Sequence, residues 1–380
     1  MLHYPLLQLR RITSSGRFVP EIDGLRFIAI ASVVLYHFHG WVLLEGAVPA
    51  AYDSTRALAE HGYRGVNLFY VISGFILGLP FAAHHLTGKP AVPLKSYFVR
   101  RLTRLEPPYI LNLLICFVFL LLAGGTSSRA LLPNLGASLL YLHNLLYGVQ
   151  SAINPVAWSL EVEVQFYCLV PLLAFIFAVR NKLARRGALA AIILLAGISQ
   201  RLCWDAAPRA KLSILFAFQF FLTGLLLADI YVADWNERPS PQWPWDLVSL
   251  ACWPPIFLLE DLTVWIYLPF LMLAVYVAAF RGVVFNRIFR NQAITIVGGM
   301  CYTIYLFHYS LIRPVLRITR GIRIGSSFNA YLAVQLLLYA AVLAVVSCLY
   351  FVLVERPCMA RDWPRRAFSY FRRPASVRPR

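Results

Sequence analysis

The chain has 380 residues, 60% of them hydrophobic and only 14% charged, with a mean hydropathy of +0.66 and a formal net charge of +18. That composition excludes a soluble globular protein and describes a polytopic membrane protein. The basic excess does not indicate nucleic acid, because the arginines flank apolar segments and form no continuous basic domain; anionic lipid headgroups account for most of it.

Apolar stretches of spanning length are predicted at 24–44, 65–84, 106–124, 157–180, 188–204, 212–232, 244–259, 262–281, 293–317 and 331–354. Each approaches the roughly twenty residues that a hydrocarbon core of about 30 Å demands. The expected fold is all-α, a polytopic membrane helix bundle of about ten transmembrane helices with no separate soluble domain. It divides into an N-terminal segment 1–22, a transmembrane domain 23–356 and a basic tail 357–380. Leu131–Tyr147 is also apolar but carries Asn134, His143 and Asn144, so it reads as an interfacial or re-entrant helix; an eleventh crossing there would invert the C-terminal half.

Basic residues near span ends set orientation. Arg10, Arg11 and Arg17, then Lys89, Lys95, Arg100, Arg101 and Arg104, then Arg180, Lys182, Arg185 and Arg186, then Arg281, Arg287 and Arg290 fall on one side, together with the tail arginines Arg356, Arg361, Arg365, Arg366, Arg372 and Arg373. This side is expected to be cytoplasmic and to hold both termini. Segments 45–63 and 125–156 are poor in basic residues and fit the other side. One connection breaks the rule: Arg317, Arg320 and Arg323 fall where the count places the outer face, which means a miscounted helix, a re-entrant segment or a functional basic patch. The first span is expected to be retained rather than cleaved as a signal peptide, because His37 and His39 interrupt it. The seven cysteines form no CxxC pair and read as packing residues, and no His/Cys cluster has zinc-site spacing, so no metal is expected.

Within the first span, Arg26 and His37 are ionisable residues in a segment destined for lipid, which marks a working site. At about 100° per residue their separation falls within roughly 20° of three full turns, so they share one helix face about 16 Å apart. They are placed to act on two ends of one long ligand. The plainer readings are an arginine snorkelling to the interface and a packed histidine. His39 lies about 200° away from His37 and reads as structural.

Several motifs carry a family resemblance. They are Asp23-Gly24-Leu25-Arg26 with ten residues before His37; Gly65-Val66-Asn67-Leu68-Phe69-Tyr70-Val71-Ile72-Ser73-Gly74-Phe75; Arg101-Leu102-Thr103-Arg104-Leu105-Glu106-Pro107; Trp158-Ser159-Leu160 with Glu163, Phe166 and Tyr167; Tyr305-Leu306-Phe307-His308; and Val354-Glu355-Arg356-Pro357. In order and content the chain resembles the membrane acyltransferase-3 family from about residue 19 to about 360. The resemblance implies transfer of an acyl group, usually acetyl, from cytoplasmic acyl-CoA to a hydroxyl of a cell-surface or exported glycan or lipid-linked saccharide, in a bacterial inner membrane. Some relatives carry a fused esterase-like domain, so a stand-alone enzyme, a separate periplasmic partner chain or a homo-oligomer is expected here. The alternative from another class is a transporter or proton-coupled permease, whose intramembrane charges would relay protons without covalent chemistry.

Acyl transfer to an alcohol needs a base for the hydroxyl proton and positive charge for the oxyanion and the departing CoA. His37 is the candidate general base. Arg26 is assigned to hold a CoA phosphate or polarise the carbonyl, and Asp23 to cap the helix. Arg101 and Arg104, just before Pro107 and Pro108 open a helix, suit nucleotide phosphates; the plain alternative is a positive-inside anchor. Glu163 is expected to orient an arginine or histidine, with Tyr167 one turn further on the same face. Glu161 points to the opposite side and departs from the usual uncharged residue. Asn67 stands where the family often has an acid. Ser73 lacks the elbow and local base of a nucleophilic serine, so Ser73-Gly74 reads as a close-packing element with Ser73 supporting the site. Trp158 and His308 are further supporting or substrate contacts, a packed histidine being the other reading of His308, and Glu355-Arg356 reads as a cap on the last helix.

Overall fold

The computed structural model of the protein describes residues 9–12, 18–46, 53–124, 127–203, 208–261, 263–325, 327–360 and 362–364. The tail arginines Arg361, Arg365, Arg366, Arg372 and Arg373 lie outside the described residues. The expected all-α architecture is observed, with no strand among the described residues. In chain order the helices are α1 (Pro20–Glu45), α2 (Arg56–Glu60), α3 (Gly65–Thr87), α4 (Leu94–Leu122), α5 (Ser128–Leu139), α6 (His143–Tyr147), α7 (Trp158–Leu173), α8 (Lys182–Leu202), α9 (Phe218–Ala233), α10 (Pro244–Leu258), α11 (Val264–Arg281), α12 (Val284–Phe289), α13 (Gln292–Gly299), α14 (Cys301–Thr319), α15 (Phe328–Tyr350) and, after a widened turn at Phe351–Glu355, α16 (Arg356–Met359).

Local chemistry sets the limits of α1. Pro20 at its first position has the fixed φ and missing N–H that a helix start tolerates, Glu21 and Asp23 complement the positive end of the dipole, and Gly46 at φ 59° closes the helix in the left-handed region. The expectation that Asp23 caps α1 is not met: the cap position is Val19, without a side-chain bond, and Asp23 lies a turn inside the helix.

Seven helical segments are long and apolar enough to cross a membrane, and an eighth results if α13 and α14, bent by 68° at their junction, count as one. Of the ten predicted spans, the remaining two correspond to α9, with 16 residues, and α10, with 15. Of these, α10 is tied down at both of its ends. At one end of α10 Asp246 accepts from the backbone of Val283, Val284 and Phe285, and at the other Arg64 donates to the carbonyls of Ile256 and Leu259. Segment 128–157 enters the bundle: Tyr109 donates to Ser138, and Asn154 donates to Asn112 and to the Leu306 carbonyl in mid-helix. Of the stretch predicted as interfacial or re-entrant, 131–147, Ser138 meets α4, while the mid-helix bonds are made by Asn154 beyond it. Arg356 donates to the Arg10 carbonyl and Trp363 to that of Thr103, so the described residues nearest both termini meet at one end, which requires an even number of crossings.

Pro107 and Pro108 do not open a helix; α4 runs through them. A proline lacks the N–H that would satisfy the carbonyl four residues earlier. The Thr103 carbonyl freed by Pro107 accepts from Trp363 Nε1 at 2.9 Å. A distant segment thus supplies one of the two bonds the ladder loses, and Arg101 and Arg104 sit within the first half of a continuous helix.

The buried apolar residues form two clusters, one built on α3, α7, α9 and α11, the other on α4, α14 and α15. In the first, α3 and α9 cross at Gly74 and Gly224: a Cβ on Gly74 would overlap the Phe221 carbonyl, and one on Gly224 the Val71 carbonyl. Gly74 therefore provides the close packing expected of the Ser73-Gly74 pair. α1 contributes Ile22, Leu25 and Ala29 to the first cluster and Ile30, Phe38 and Val42 to the second. Polar side chains gather in the seam between them.

Candidate active site

At the N-terminal end of α1, Arg26 Nη1 donates to Asp23 Oδ1 at 2.7 Å, one helical turn away, and Arg11 Nε stands 3.1 Å from Asp23 Oδ2. All three side chains are largely buried, Arg11 and Arg26 at 11% and 15% exposure. α13 fixes this turn from outside the seam, since a Cβ on Gly298 would overlap the Asp23 carbonyl. Burial and the like charge of Arg26 lower the pKa of Arg11 to about 9, which leaves the guanidinium protonated at neutral pH.

Three more helices bring charge to the same place. Glu163 of α7 accepts from Ser73 Oγ of α3, and Tyr167 lies within hydrogen-bonding reach of it. Glu355, buried in the widened turn, accepts from the Thr303 backbone at 3.2 Å and from the Thr303 hydroxyl. Arg101 lies over the rings of Tyr97 and Tyr167 at 5.7 and 5.8 Å. Arg104 sits in the fields of Arg26, Arg101, Glu355 and Tyr167, and Arg26 in those of Glu163 and Cys301. Four guanidinium groups thus face three carboxylates, each of which already has a donor. Among the described residues neither Arg101 nor Arg104 forms an ion pair or a hydrogen bond, and two uncommitted forks in a partly dry seam are a ready site for a phosphorylated anion.

From Glu163 the seam continues towards the far end of α1. Tyr70 Oη is buried beside Ser159, Tyr305 and Glu163. Ser159 Oγ and Tyr305 Oη are 2.9 Å apart, and Tyr305 also donates to the Val156 carbonyl. His308, one turn beyond Tyr305, is fully buried; its Nδ1 is 2.7 Å from the Tyr305 carbonyl, which can only accept, so Nδ1 carries the proton and Nε2 the lone pair. That Nε2 has no partner among the described residues. The His308 ring centroid is 5.3 Å from that of His37, which also touches Tyr36 at 4.9 Å and Tyr309 at 5.1 Å. His37 makes no hydrogen bond among the described residues.

The structure therefore brings Arg26, Arg101, Arg104, Glu163, Ser73 and Tyr167 together at one level and His37 and His308 at another. Trp158 is the exception, its ring packing on the first apolar cluster. Ser73 is a donor to Glu163, a role invisible locally because its partner is ninety residues away. Glu161 is buried and accepts from the backbone N–H of Asn144 at 2.8 Å, fixing the start of α6 on the opposite side from the seam. His39 is structural, as expected, 2.5 Å from Asp53. Glu355 is not an exposed cap, and Arg11 is not a lipid anchor. Both were missed because their partners, Thr303 and Asp23, are set by tertiary folding.

The sequence motifs lie on α1, α3, α4, α7, α14 and the widened turn at Phe351–Glu355, and the chain as a whole is similar to known proteins. The chain is 24% identical to the O-acetyltransferase OatA of Staphylococcus aureus (strain NCTC 8325 / PS 47) over 391 residues, which covers 93% of this chain and 59% of that one. It is 23% identical to a putative O-acetyltransferase of Staphylococcus aureus (strain COL) over 333 residues, covering 78% and 51%. The chain thus spans between half and three-fifths of the length of these curated relatives. No solved structure matches it. A family model described as an acyltransferase domain matches residues 19–354, most of the chain, and the protein belongs to the acyltransferase-3 family.

Proposed function

We propose that this protein is an integral-membrane O-acyltransferase that moves an acetyl group from cytoplasmic acyl-CoA to a hydroxyl of a cell-surface or exported glycan. One observation carries the reading: a single polar seam joins the uncommitted guanidinium groups of α4, beside Arg26 at one end of α1, to a pair of imidazoles from α1 and α14, one with an unpartnered nitrogen, nearer its other end. The positive-inside rule puts the Arg26 end in the cytoplasm, and with α9 and α10 counted the chain makes ten passages.

In this reading Arg101 and Arg104 bind the phosphates of the donor, and Arg26, fixed by Asp23, directs its arm along α1. Glu163, held by Ser73 and Tyr167, offsets the mutual repulsion of the arginines. An in-plane N–H···N bond between two imidazoles needs ring centroids about 5 Å apart, close to the separation of His37 and His308. On substrate binding His37 turns its N–H onto the lone pair of His308 Nε2, a bond absent among the described residues, and its other nitrogen then faces the acceptor. His37 removes the hydroxyl proton as the acceptor oxygen bonds to the thioester carbonyl carbon. The C–S bond then breaks, and the proton passes to the leaving thiolate.

The test is mass spectrometry of surface glycans from cells with the chain, without it, and with His37→Ala. Acetyl mass is expected only with the unaltered chain, and its absence there overturns the proposal. His308→Gln, which places an amide oxygen near the position of Nε2, is expected to retain more activity than His308→Leu; equal loss would remove His308 from the orienting role.

A further inference from the structure

The connection that breaks the positive-inside rule lies at the Glu45 end of the bundle, opposite Arg26: Arg320 is 3.9 Å from Glu45, and Asn329, just past the loop, accepts from Ser54. The connection thus lies at the opposite end of the bundle from Arg26, and of the three readings this placement favours a functional basic patch. Arg313, Arg317 and Arg320 fall within an arc of about 60° on α14 and at its C-cap, Arg323 follows in the loop, and all four are exposed. Among the described residues, Arg320 alone of the four has a carboxylate within ion-pair distance.

The row is continuous with the active-site seam. Tyr309, one turn before Arg313 on the same face, meets the His37 ring at 5.1 Å and Trp41 at 6.1 Å, and the Arg313 guanidinium lies over Trp41 at 5.5 Å. Starting from the imidazole, two aromatic rings are followed by four guanidinium groups out to the end of the bundle. An arginine snorkelling to lipid has no need of this alignment with the base. Resting on the acyltransferase reading above, we propose that this face is the acceptor track and that the acceptor is an anionic saccharide, one bearing carboxylate or phosphate groups. The rings of Tyr309 and Trp41 offer apolar faces to the sugar, and Arg313, Arg317, Arg320 and Arg323 hold its charges.

Surface glycans from cells carrying the full chain are separated by anion exchange before mass spectrometry. Acetyl mass in the charged fractions is expected. Acetyl mass confined to neutral fractions overturns this inference and leaves the acyltransferase reading standing, whereas none in any fraction overturns that reading and this inference with it. The combined variant Arg313→Gln, Arg317→Gln, Arg320→Gln, Arg323→Gln is expected to lower acetylation of the charged glycans roughly tenfold or more, while the purified protein in nanodiscs binds acetyl-CoA within about twofold of the original. Unchanged acetylation overturns the inference. So does a melting temperature that rises with phosphatidylglycerol content in the original protein and not in the variant, since the row would then be a lipid-headgroup site.

Discussion

Around Arg26 the seam is made of permanent charges, and around His37 of rings. Asp23 is shared by Arg26 and Arg11, Glu163 is held by Ser73, and Glu355 by Thr303, so the carboxylates are spoken for and the surplus is cationic. One turn past Tyr305 the partners become His308, Tyr36 and Tyr309, and the open valence is a single lone pair on His308 Nε2. The contrast separates two tasks. A site that grips an anion needs fixed positive charge, while a site that moves a proton needs a group free to take one.

The largest effect expected is that of His37→Ala, which removes the proposed base and leaves the charged end untouched. Acetyl transfer is predicted to fall about 10²- to 10⁴-fold, with acetyl-CoA binding retained. If the rate falls only in proportion to the amount of folded protein, the division of labour is wrong. The converse substitution, Asp23→Ala, strips two largely buried guanidinium groups of their shared counter-charge. It is predicted to destabilise the protein by about 3 kcal/mol, read as a lowered melting temperature in nanodiscs. Arg26→Ala is predicted to cost less stability, because Arg11 remains on Asp23, yet to lose donor binding. Equal melting temperatures for Asp23→Ala and the unaltered protein would show that the charged cluster is not built around this carboxylate.

These two ends were unequally legible in the sequence. The spacing of Arg26 and His37 on one face follows from helix periodicity and needed no tertiary information. Arg101, Arg104 and Glu163 were identified by motif, but what makes the two arginines available is that every nearby carboxylate is engaged, and this depends on Arg11, Ser73 and Thr303 arriving from distant segments. The helices were readable as apolar runs; the interruption at Pro107 and Pro108 was misjudged because the donor that takes up the Thr103 carbonyl, Trp363, comes from elsewhere in the chain. Local rules likewise made Asp23 and Glu355 caps, where tertiary partners draw both inside. The Asn134, His143 and Asn144 content of 131–147 suggested an interfacial or re-entrant helix, but the bond that reaches mid-bundle, Asn154 to Asn112, lies beyond that stretch and had no local signal.

Ser73→Ala tests the junction between the two ends. It takes one donor from Glu163 and leaves Tyr167, so a loss of about 1–2 kcal/mol is expected, seen as roughly a tenfold fall in kcat/KM for acetyl-CoA. Ser73→Thr, which keeps the hydroxyl, is predicted to restore most of it. Complete inactivation by Ser73→Ala with a normal melting temperature would instead make the serine a nucleophile, and the seam would then hold an acyl-enzyme site.

The smallest effect is predicted beyond His37, where Asp53 holds the outer end of α1. Its Oδ2 lies 2.5 Å from His39 Nε2, and its Oδ1 accepts from the Thr55 backbone and hydroxyl at 3.0 and 2.7 Å. Burial alone would raise the pKa of this carboxyl, but the hydrogen bonds from Thr55 and His39 outweigh it and hold the group below its ordinary value. A depressed folded-state pKa gives a stabilisation that is complete above the unfolded value of about 3.9 and is lost as pH falls through the folded one. Because the group belongs to a loop at the edge of the bundle, its share is expected to stay under about 1 kcal/mol. The melting temperature of the unaltered protein should therefore hold from neutral pH down to about 5 and decline below about 4, and Asp53→Asn should start lower and decline less. Parallel declines would assign the acid sensitivity to other carboxylates. Acetyl-CoA binding measured at pH 7 in the same Asp53→Asn protein should be unchanged, since the cationic cluster that captures the donor lies at the opposite end of α1 and shares no partner with this loop.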